Sequence, residues 1–447
     1  MLTIAYLANQ FPSAVEPYVG EEIDELRRRG VCVITGSVRR SRPTHRRTPQ
    51  PERAPDVVLQ PLSVLVLLRA VWLCVQRWRR ISDLLVRVIC RGPEGPVQRA
   101  KALLHTWLGA CYAVMLKRRR VEHIHVHHGY FGSWIAMVAA RLLNIRFSMT
   151  LHGSDLLLHA SYLDEKLENC ALCLTVSEYN RHYILEHYPG VAAKKVLVSR
   201  LGVEVSALRA SSGHRVRGSG LMLLAVGRLH AVKDHASLVR ACSELYQSGV
   251  EFECSIAGEG PERSRLESLI RRCGLEDRVT LLGHVAREQM TSLYDRAHVV
   301  VLTSRSEGLP LVLMEAMARG KIVLAPAITG IPELVVAGKT GFLYDAGAPD
   351  DFVKRLLAIR SLLRAPDHPR HRPDTDPGFL SAHKPLDWVA HAARAQVRHN
   401  FNRKKNLELF GDLFIRRIAP PAGRLRHESS VLQQIQLSVQ RHRSLPV

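Results

Sequence analysis

A chain of 447 residues, 46% hydrophobic and 23% charged, is too long for one ordinary domain and apolar enough to fill two cores. Its nine cysteines, an odd and scattered set, argue against a disulfide framework and for reduced thiols in a cytosolic protein. The formal charge of +22 implies an anionic partner, and it is unevenly spread: residues 1–150 carry 23 Lys and Arg against 10 Asp and Glu, residues 351–447 carry 18 against 8, and the segment between carries 22 against 23.

The start, MLTIAYLANQFP, has no basic lead and too short an apolar run for a signal peptide. LTIAYLAN reads as a strand, EPYVGEEIDELRRRG as a helix capped by Gly30, and VCVITGSV as a second strand. That βαβ start predicts a parallel sheet. Arg39 to Pro55, rich in Arg, Pro and Thr, reads as a mobile loop. Val57 to Arg80 is the most apolar stretch, but Pro61, Arg69 and the short uncharged run disqualify it as a membrane span. Leu65, Leu68, Trp72, Val75 and Trp78, flanked by arginines, suit either an interfacial amphipathic helix or a helix packed on the first sheet. Residues 99–120 read as a helix ending in the basic run Lys117–Arg120, a solvated face or an anionic surface contact.

His123, His125 and His127 alternate and share one face of a predicted strand that feeds the loop HHGYFG. Three such histidines can bind a metal, but with no carboxylate or cysteine supporting them nearby, a strand end feeding a loop is the expectation. FSMTLHGSDLL is a strand followed by a polar loop, which puts His152 at the carboxyl end of a parallel strand, where ligands bind. Cys170 and Cys173 form a lone CxxC in the predicted helix LDEKLENCALC and are expected to pack rather than bind metal. Ser206 to Ser219, small, polar and without apolar periodicity, is the expected linker. It divides the chain into residues 1–206, residues 207–387 and terminal helices with a basic tail over 388–447.

The second half restarts the alternation with LMLLAVG, and Arg228 and Lys233 follow that strand's carboxyl end. FECSIAGEGPERSRLESLIRRCG reads as strand, loop and helix, with Gly258 and Gly260 as phosphate-loop or plain turn glycines. AHVVVLTS is a buried strand, and TSRSEGLPLVLME follows it with Glu307 and Glu315 on either side of Pro310. Proline is favoured at the first helical position, so PLVLMEAMAR reads as a helix ending at Gly320. Leu309, at the cap, has no side-chain oxygen, leaving the first N–H groups open to an anion. Glu307 then lies in the loop and Glu315 in the helix's second turn. The proline-rich stretch Leu363–Pro385 reads as a surface loop.

The order GRLHAVKD, IAGEGP, SRSEGLPLVLMEAMARGKIVLAP and TGIPELV with KTGFL resembles the donor domain of family 4 retaining glycosyltransferases of the GT-B fold. NQFPSAVEPYVGEEIDELRRRG, HIHVHHGYFG and MTLHGSDLL resemble the branch that builds bacterial exopolysaccharides, the colanic-acid type. The resemblance implies two Rossmann-like, doubly wound parallel-sheet domains facing across a cleft. It implies that Arg228 and Lys233 hold the diphosphate of a nucleotide-sugar, with Gly308 and Leu309 N–H groups beside it. It implies that Glu307 and His152 meet the donor sugar, that Glu315 binds the ribose, and that Gly258, Gly260, Gly330 and Glu333 border the nucleotide. It also implies retention by a same-face route, with no metal or cofactor. Asp234 departs from the pattern, since the family often has glycine there, and the first loop lacks the double glycine of many relatives.

The leading expectation is a hexosyltransferase of bacterial polysaccharide biosynthesis, using a UDP- or GDP-sugar and a lipid-linked or oligosaccharide acceptor. It is expected in the cytoplasm, peripheral on the inner face of the plasma membrane through residues 57–120 and the basic C-terminus. Nucleic acid is not an expected partner. A nucleotide-sugar epimerase of the same fold and a non-catalytic nucleotide- or anion-binding scaffold are the alternatives.

Overall fold

The computed structural model describes residues 1–13, 16–39, 54–158, 161–205, 220–348, 350–364 and 386–419. The expected loop at 40–53, the linker at 206–219, most of the proline-rich loop and the basic tail lie outside them.

The first half builds seven strands: β1 (Thr3–Gln10), β2 (Cys32–Arg39), β3 (Val57–Val58), β4 (His123–His127), β5 (Arg146–Leu151), β6 (Leu172–Thr175) and β7 (Val196–Val198). They pair in parallel in the order β3-β2-β1-β4-β5-β6-β7. The second half builds β8 (Leu221–Val226), β9 (Phe252–Ala257), β10 (Val279–Gly283), β11 (Val299–Val301), β12 (Ile322–Pro326) and β13 (Phe342–Tyr344). These are also parallel, in the order β10-β9-β8-β11-β12-β13. Both orders reverse direction once, at β1/β4 and at β8/β11. In doubly wound sheets the crevice outside the carboxyl ends at such a reversal is where ligands bind. Buried side chains cover both faces of each sheet, which explains why the strands read as nearly continuous apolar runs.

In the first half, α1 (Pro17–Arg28) follows β1, and Gly30 at φ 80° ends it as expected. Next come α2 (Val64–Gln76), capped by Ser63, α3 (Ser82–Cys90), α4 (Pro96–Leu116) and α5 (Phe131–Leu143). Of the two readings of the 57–80 stretch, packing on the first half is seen on one face of α2, and the opposite face is apolar and exposed. Ala70 and Leu73 are buried in the core beside the first sheet, while Val64, Leu65, Leu68, Val71, Trp72 and Val75 face outward. Cys170 and Cys173 do not share a helix: the helix is Leu163–Asn169, Cys170 caps it, and Cys173 lies in β6. Both thiols are buried, and burial pushes Cys170 up to about 12.

The terminal helix Arg403–Ile418 returns to the first half. Phe410, Phe414 and Ile418 join the core formed by Ile4, Tyr6 and Ile23, and Arg403 bonds Glu21 at 2.6 Å and Glu204 at 2.9 Å. The preceding helix, Leu386–Asn400, lies against the helix Leu311–Ala318 of the second half.

Candidate active site

The loops after β8 and β11 carry the residues singled out from the second half. After β8 the chain turns through Gly227–Ala231, and Lys233 closes a short 3-10 turn. Asp234 adopts φ 45°, in the left-handed region. That conformation accounts for a pattern that often has glycine here, and aspartate is among the few side chains that tolerate it. The Asp234 carboxylate accepts from Ser237 Oγ and Arg305 Nε, both at 2.9 Å, tying the β8 loop to the β11 loop. Thr303 Oγ1 donates to the Lys233 carbonyl and Arg305 N to the Val232 carbonyl.

This framework brings Lys233 Nζ to 2.5 Å from Glu307 Oε1, with both side chains mostly buried. Arg228 is exposed on the same side, close enough to Glu16, Tyr18 and Tyr130 of the first half to act on them electrostatically. Glu315 accepts from Tyr294 Oη at 2.8 Å. Burial, followed by the Glu315 charge, holds that phenol well above its ordinary value, so Tyr294 stays a donor. The helix that carries Glu315 begins one residue later than expected. Pro310 is the cap at ψ 112° and Leu311 the first helical residue. Proline fixes φ but leaves ψ free, so Pro310 can be extended and still offer its carbonyl to Leu313 and Met314. No side chain caps this helix start.

Gly258 and Gly260 hold the loop after β9 against the loop after β8. A Cβ at Gly258 would lie 1.9 Å from the Gly227 carbonyl oxygen, and one at Gly260 2.3 Å from that of Leu229. Close backbone packing is thus sufficient reason for both glycines. Glu333, expected to border a nucleotide, is engaged with the first half. Its carboxylate accepts from Glu178 N at 3.0 Å and Tyr179 N at 2.7 Å, at the start of the helix Glu178–His187, with Arg200 at 3.4 Å. It therefore joins the second half to a helix N-terminus of the first.

The halves also meet backbone to backbone. A Cβ at Gly308 would stand 1.7 Å from the His152 carbonyl oxygen and one at Gly153 2.7 Å from Gly308 N; one at Gly330 would stand 2.1 Å from the Gly308 carbonyl oxygen within the second half and 3.1 Å from Ser177 Cβ of the first. His152 thereby sits directly across from Glu307.

Behind His152 lies a buried polar chain that sequence reasoning missed. Glu22 from α1 accepts from Tyr6 and lies 3.0 Å from His127 Nε2; His127 Nδ1 lies 3.0 Å from His152 Nε2. If Glu22 accepts the Nε2 proton of His127, Nδ1 of His127 accepts from His152 Nε2–H, and His152 keeps its lone pair on Nδ1. Burial, then His128 and His127, hold His152 well below its ordinary value, so it is neutral. The alternating histidines therefore do have a carboxylate beside them: Glu22, His125 and His127 place potential ligand atoms within 4.8 Å of one another. His125 is already bonded to the hydroxyls of Ser148 and Thr150, and His127 to Glu22 and His152, which describes a hydrogen-bonded chain. Asp155 bonds the N–H groups of Gly129, His152 and Gly153, fixing both loops. His128 bonds Glu16 at 2.8 Å and lies 3.6 Å from Asp155. Burial alone would lower His128, but Asp155 and Glu16 outweigh it and hold it at about 9. The usable signal was the acidic run in EPYVGEE, beyond the carboxyl end of β1, where Glu16 caps the helix Pro17–Arg28 and Glu22 lies in its second turn.

This two-sheet architecture with facing loops is the GT-B fold, and the chain belongs to the family 4 glycosyltransferases. Residues 15–207 match the model "Glycosyltransferase Family 4" and residues 210–372 match "Glycosyl transferases group 1". The chain is 33% identical over 221 residues to WcaL of Escherichia coli, named for colanic acid biosynthesis, covering 48% of this chain and 50% of that one. It is 30% identical over 291 residues to the amylovoran biosynthesis glycosyltransferase AmsK of Erwinia amylovora, covering 62% and 66%. The chain thus spans about half to two thirds of the length of these curated relatives. Among solved structures, sucrose-phosphate synthase from Thermosynechococcus elongatus superposes with a TM-score of 0.67 at 16% identity, covering 93% of this chain and 99% of that one.

Proposed function

We propose that the protein is a glycosyltransferase of bacterial polysaccharide biosynthesis that moves a hexosyl group from a UDP- or GDP-sugar to a lipid-linked acceptor, with retention. What supports this reading is the Lys233–Glu307 pair, whose loop packs on the His152 backbone and leads into the uncapped helix start at Leu311, with Arg228 close enough to act on Glu16 and Tyr18 of the facing half. The C1–O bond to the diphosphate breaks, the acceptor oxygen bonds to C1 on the same face, and the acceptor proton passes to the departing phosphate oxygen. The leaving group gains negative charge, which Arg228, Lys233 and the helix N-terminus stabilise. Lys233 must exchange Glu307 for phosphate when the donor binds. The carboxylate released from that pair then faces the positive charge that develops on the sugar ring. Neutral His152, with its lone pair on Nδ1, accepts from a sugar hydroxyl, and Glu315 accepts from the ribose hydroxyls.

The site of action we propose is an anionic membrane surface on the cytoplasmic side. No helix among the described residues is long and apolar enough to cross a membrane. What supports surface docking is the outward face of α2, where Leu68 and Trp72 are each 63% exposed beside Arg69, Arg77, Arg79 and Arg80.

The test is release of nucleoside diphosphate from a panel of UDP- and GDP-sugars with bacterial membrane lipid extract. Release with one donor, dependent on the extract, is expected. No release with any donor overturns the reading, and donor turnover without extract would make it an epimerase or hydrolase.

A further inference from the structure

A cavity of about 380 Å³ opens in the first half between α4, the loop leading into α5, and the helix Leu163–Asn169. Its walls are Ala102, Phe131, Trp134 and Tyr162, and its lysines are Lys101 and Lys166. The volume lies in the range of ligand sites, about 300–1,000 Å³. Gln98, Lys101, Ala102 and His105 line it at helical spacing along one face of α4. The adjacent stripe of the same helix, Val97, Leu104 and Trp107, is exposed, and α4 packs against α2, whose apolar face is also exposed. The helix that lines the cavity thus also carries exposed apolar side chains, next to the exposed apolar face of α2. Its inner end is Tyr130, whose hydroxyl lies 2.8 Å from Ser154 Oγ, two residues from His152. Lys166 is buried, with Nζ on the carbonyls of Gly129, Tyr130 and Ser161, while Lys101 is exposed.

We propose that this cavity holds the first apolar units of the chain of a phosphate-linked lipid acceptor, with Lys101 meeting the phosphate and the sugar end directed past Tyr130 toward His152. The inference rests on the lipid-linked acceptor of the proposed function and names where that acceptor's chain goes. Apolar walls select a hydrocarbon chain, exposed Lys101 selects an anionic linker, and the exposed apolar side chains of α4 and α2 supply a path from a bilayer.

The probe is geranyl phosphate, titrated calorimetrically into the full-length protein, with geraniol and inorganic phosphate as separate arms. One saturable site is expected for geranyl phosphate, at least tenfold tighter than for either fragment. Ala102→Phe, which fills the cavity, is expected to weaken binding at least tenfold while leaving thermal stabilisation by UDP and GDP unchanged. Lys101→Glu, at an exposed position that folding tolerates, is expected to weaken it severalfold, and carries the test if Ala102→Phe does not fold. Undiminished binding by either folded variant, binding of phosphate alone at equal affinity, or no saturable site overturns the proposal. The assay needs no sugar transfer. Binding here without nucleoside diphosphate release would leave the cavity standing and remove the transferase reading. Undiminished lipid-dependent transfer by Ala102→Phe would do the reverse.

Discussion

His128 offers a test of the electrostatics of the cleft that needs no substrate. It stands directly after β4 at φ 69°, with its side chain 20% exposed between Glu16 and Asp155. The fold holds its pKa at about 9 against an ordinary 6.5. A pKa raised on folding means that the protonated form is preferred in the native state, so the stabilisation is complete below pH 6.5. It declines between 6.5 and 9 and is gone above 9. At about 1.36 kcal/mol per pH unit, the interval from 6.5 to 9 corresponds to about 3 kcal/mol. The perturbation is His128→Asn, because asparagine accepts the left-handed backbone and carries no charge. The assay is urea unfolding of wild type and variant at pH 6, 7.5 and 9.5. Lys166 titrates in the same window with the opposite sign, since burial lowers it to about 7 and native stability then rises with pH. Taking the difference between the two proteins at each pH cancels that contribution. The wild type is expected to lead the variant by about 3 kcal/mol at pH 6 and to lose most of that lead by pH 9.5. A difference that does not change with pH refutes the assignment of a charged His128 held by Glu16 and Asp155.

Glu307→Gln removes the charge opposite Lys233 and is expected to cost about 100-fold or more in kcat, while thermal shift shows nucleotide binding retained. Glu315→Leu leaves the buried Tyr294 hydroxyl only the Val312 carbonyl at 3.5 Å and is expected to cost about 1–3 kcal/mol in urea unfolding, whereas Glu315→Gln, which keeps an acceptor, is expected to cost less than half of that. Gly308→Ala places a methyl against the His152 carbonyl oxygen and is expected to abolish transfer with each half still folded, read by scattering as a wider separation of the halves. Glu22→Gln disturbs the tautomer of His152 through His127 and is expected to lower kcat about tenfold with donor KM unchanged, and its histidine nitrogen shifts by NMR should move at His152 as well as His127.

Local signals carried most of the fold. Strand, loop and helix repeat at short range through LMLLAVG, IAGEGP and VVVLTS, and apolar runs flanked by glycine and proline mark them without tertiary information. Lys233 and Glu307 were legible because each follows a strand end, and strand ends of one parallel sheet converge. Glu22 and His127 were not, because they are 105 positions apart and meet only once β1 and β4 pair. The same holds for the carboxylate beside the histidines: Glu22 reaches them through the fold, and proximity in sequence is the wrong measure. Glu333 shows the limit in another form. The family resemblance puts TGIPELV at a nucleotide, and nothing local signals that its carboxylate reaches the backbone of Glu178 and Tyr179. The two-faced character of α2 was present in its spacing, but which face meets the core depends on where β3 and α4 lie.

The glycines at 153, 308 and 330 bear on how such chains can be recombined. Each half presents a bare backbone that only a bare backbone can meet, so a donor half grafted from a relative will seat only if both facing loops keep their hydrogen-only positions. Glu333 adds a matching demand, since its partners Glu178, Tyr179 and Arg200 belong to the other half. Exchange of sugar specificity by swapping halves is thus governed by a seam of a few atoms, and variants that respect that seam form the usable library.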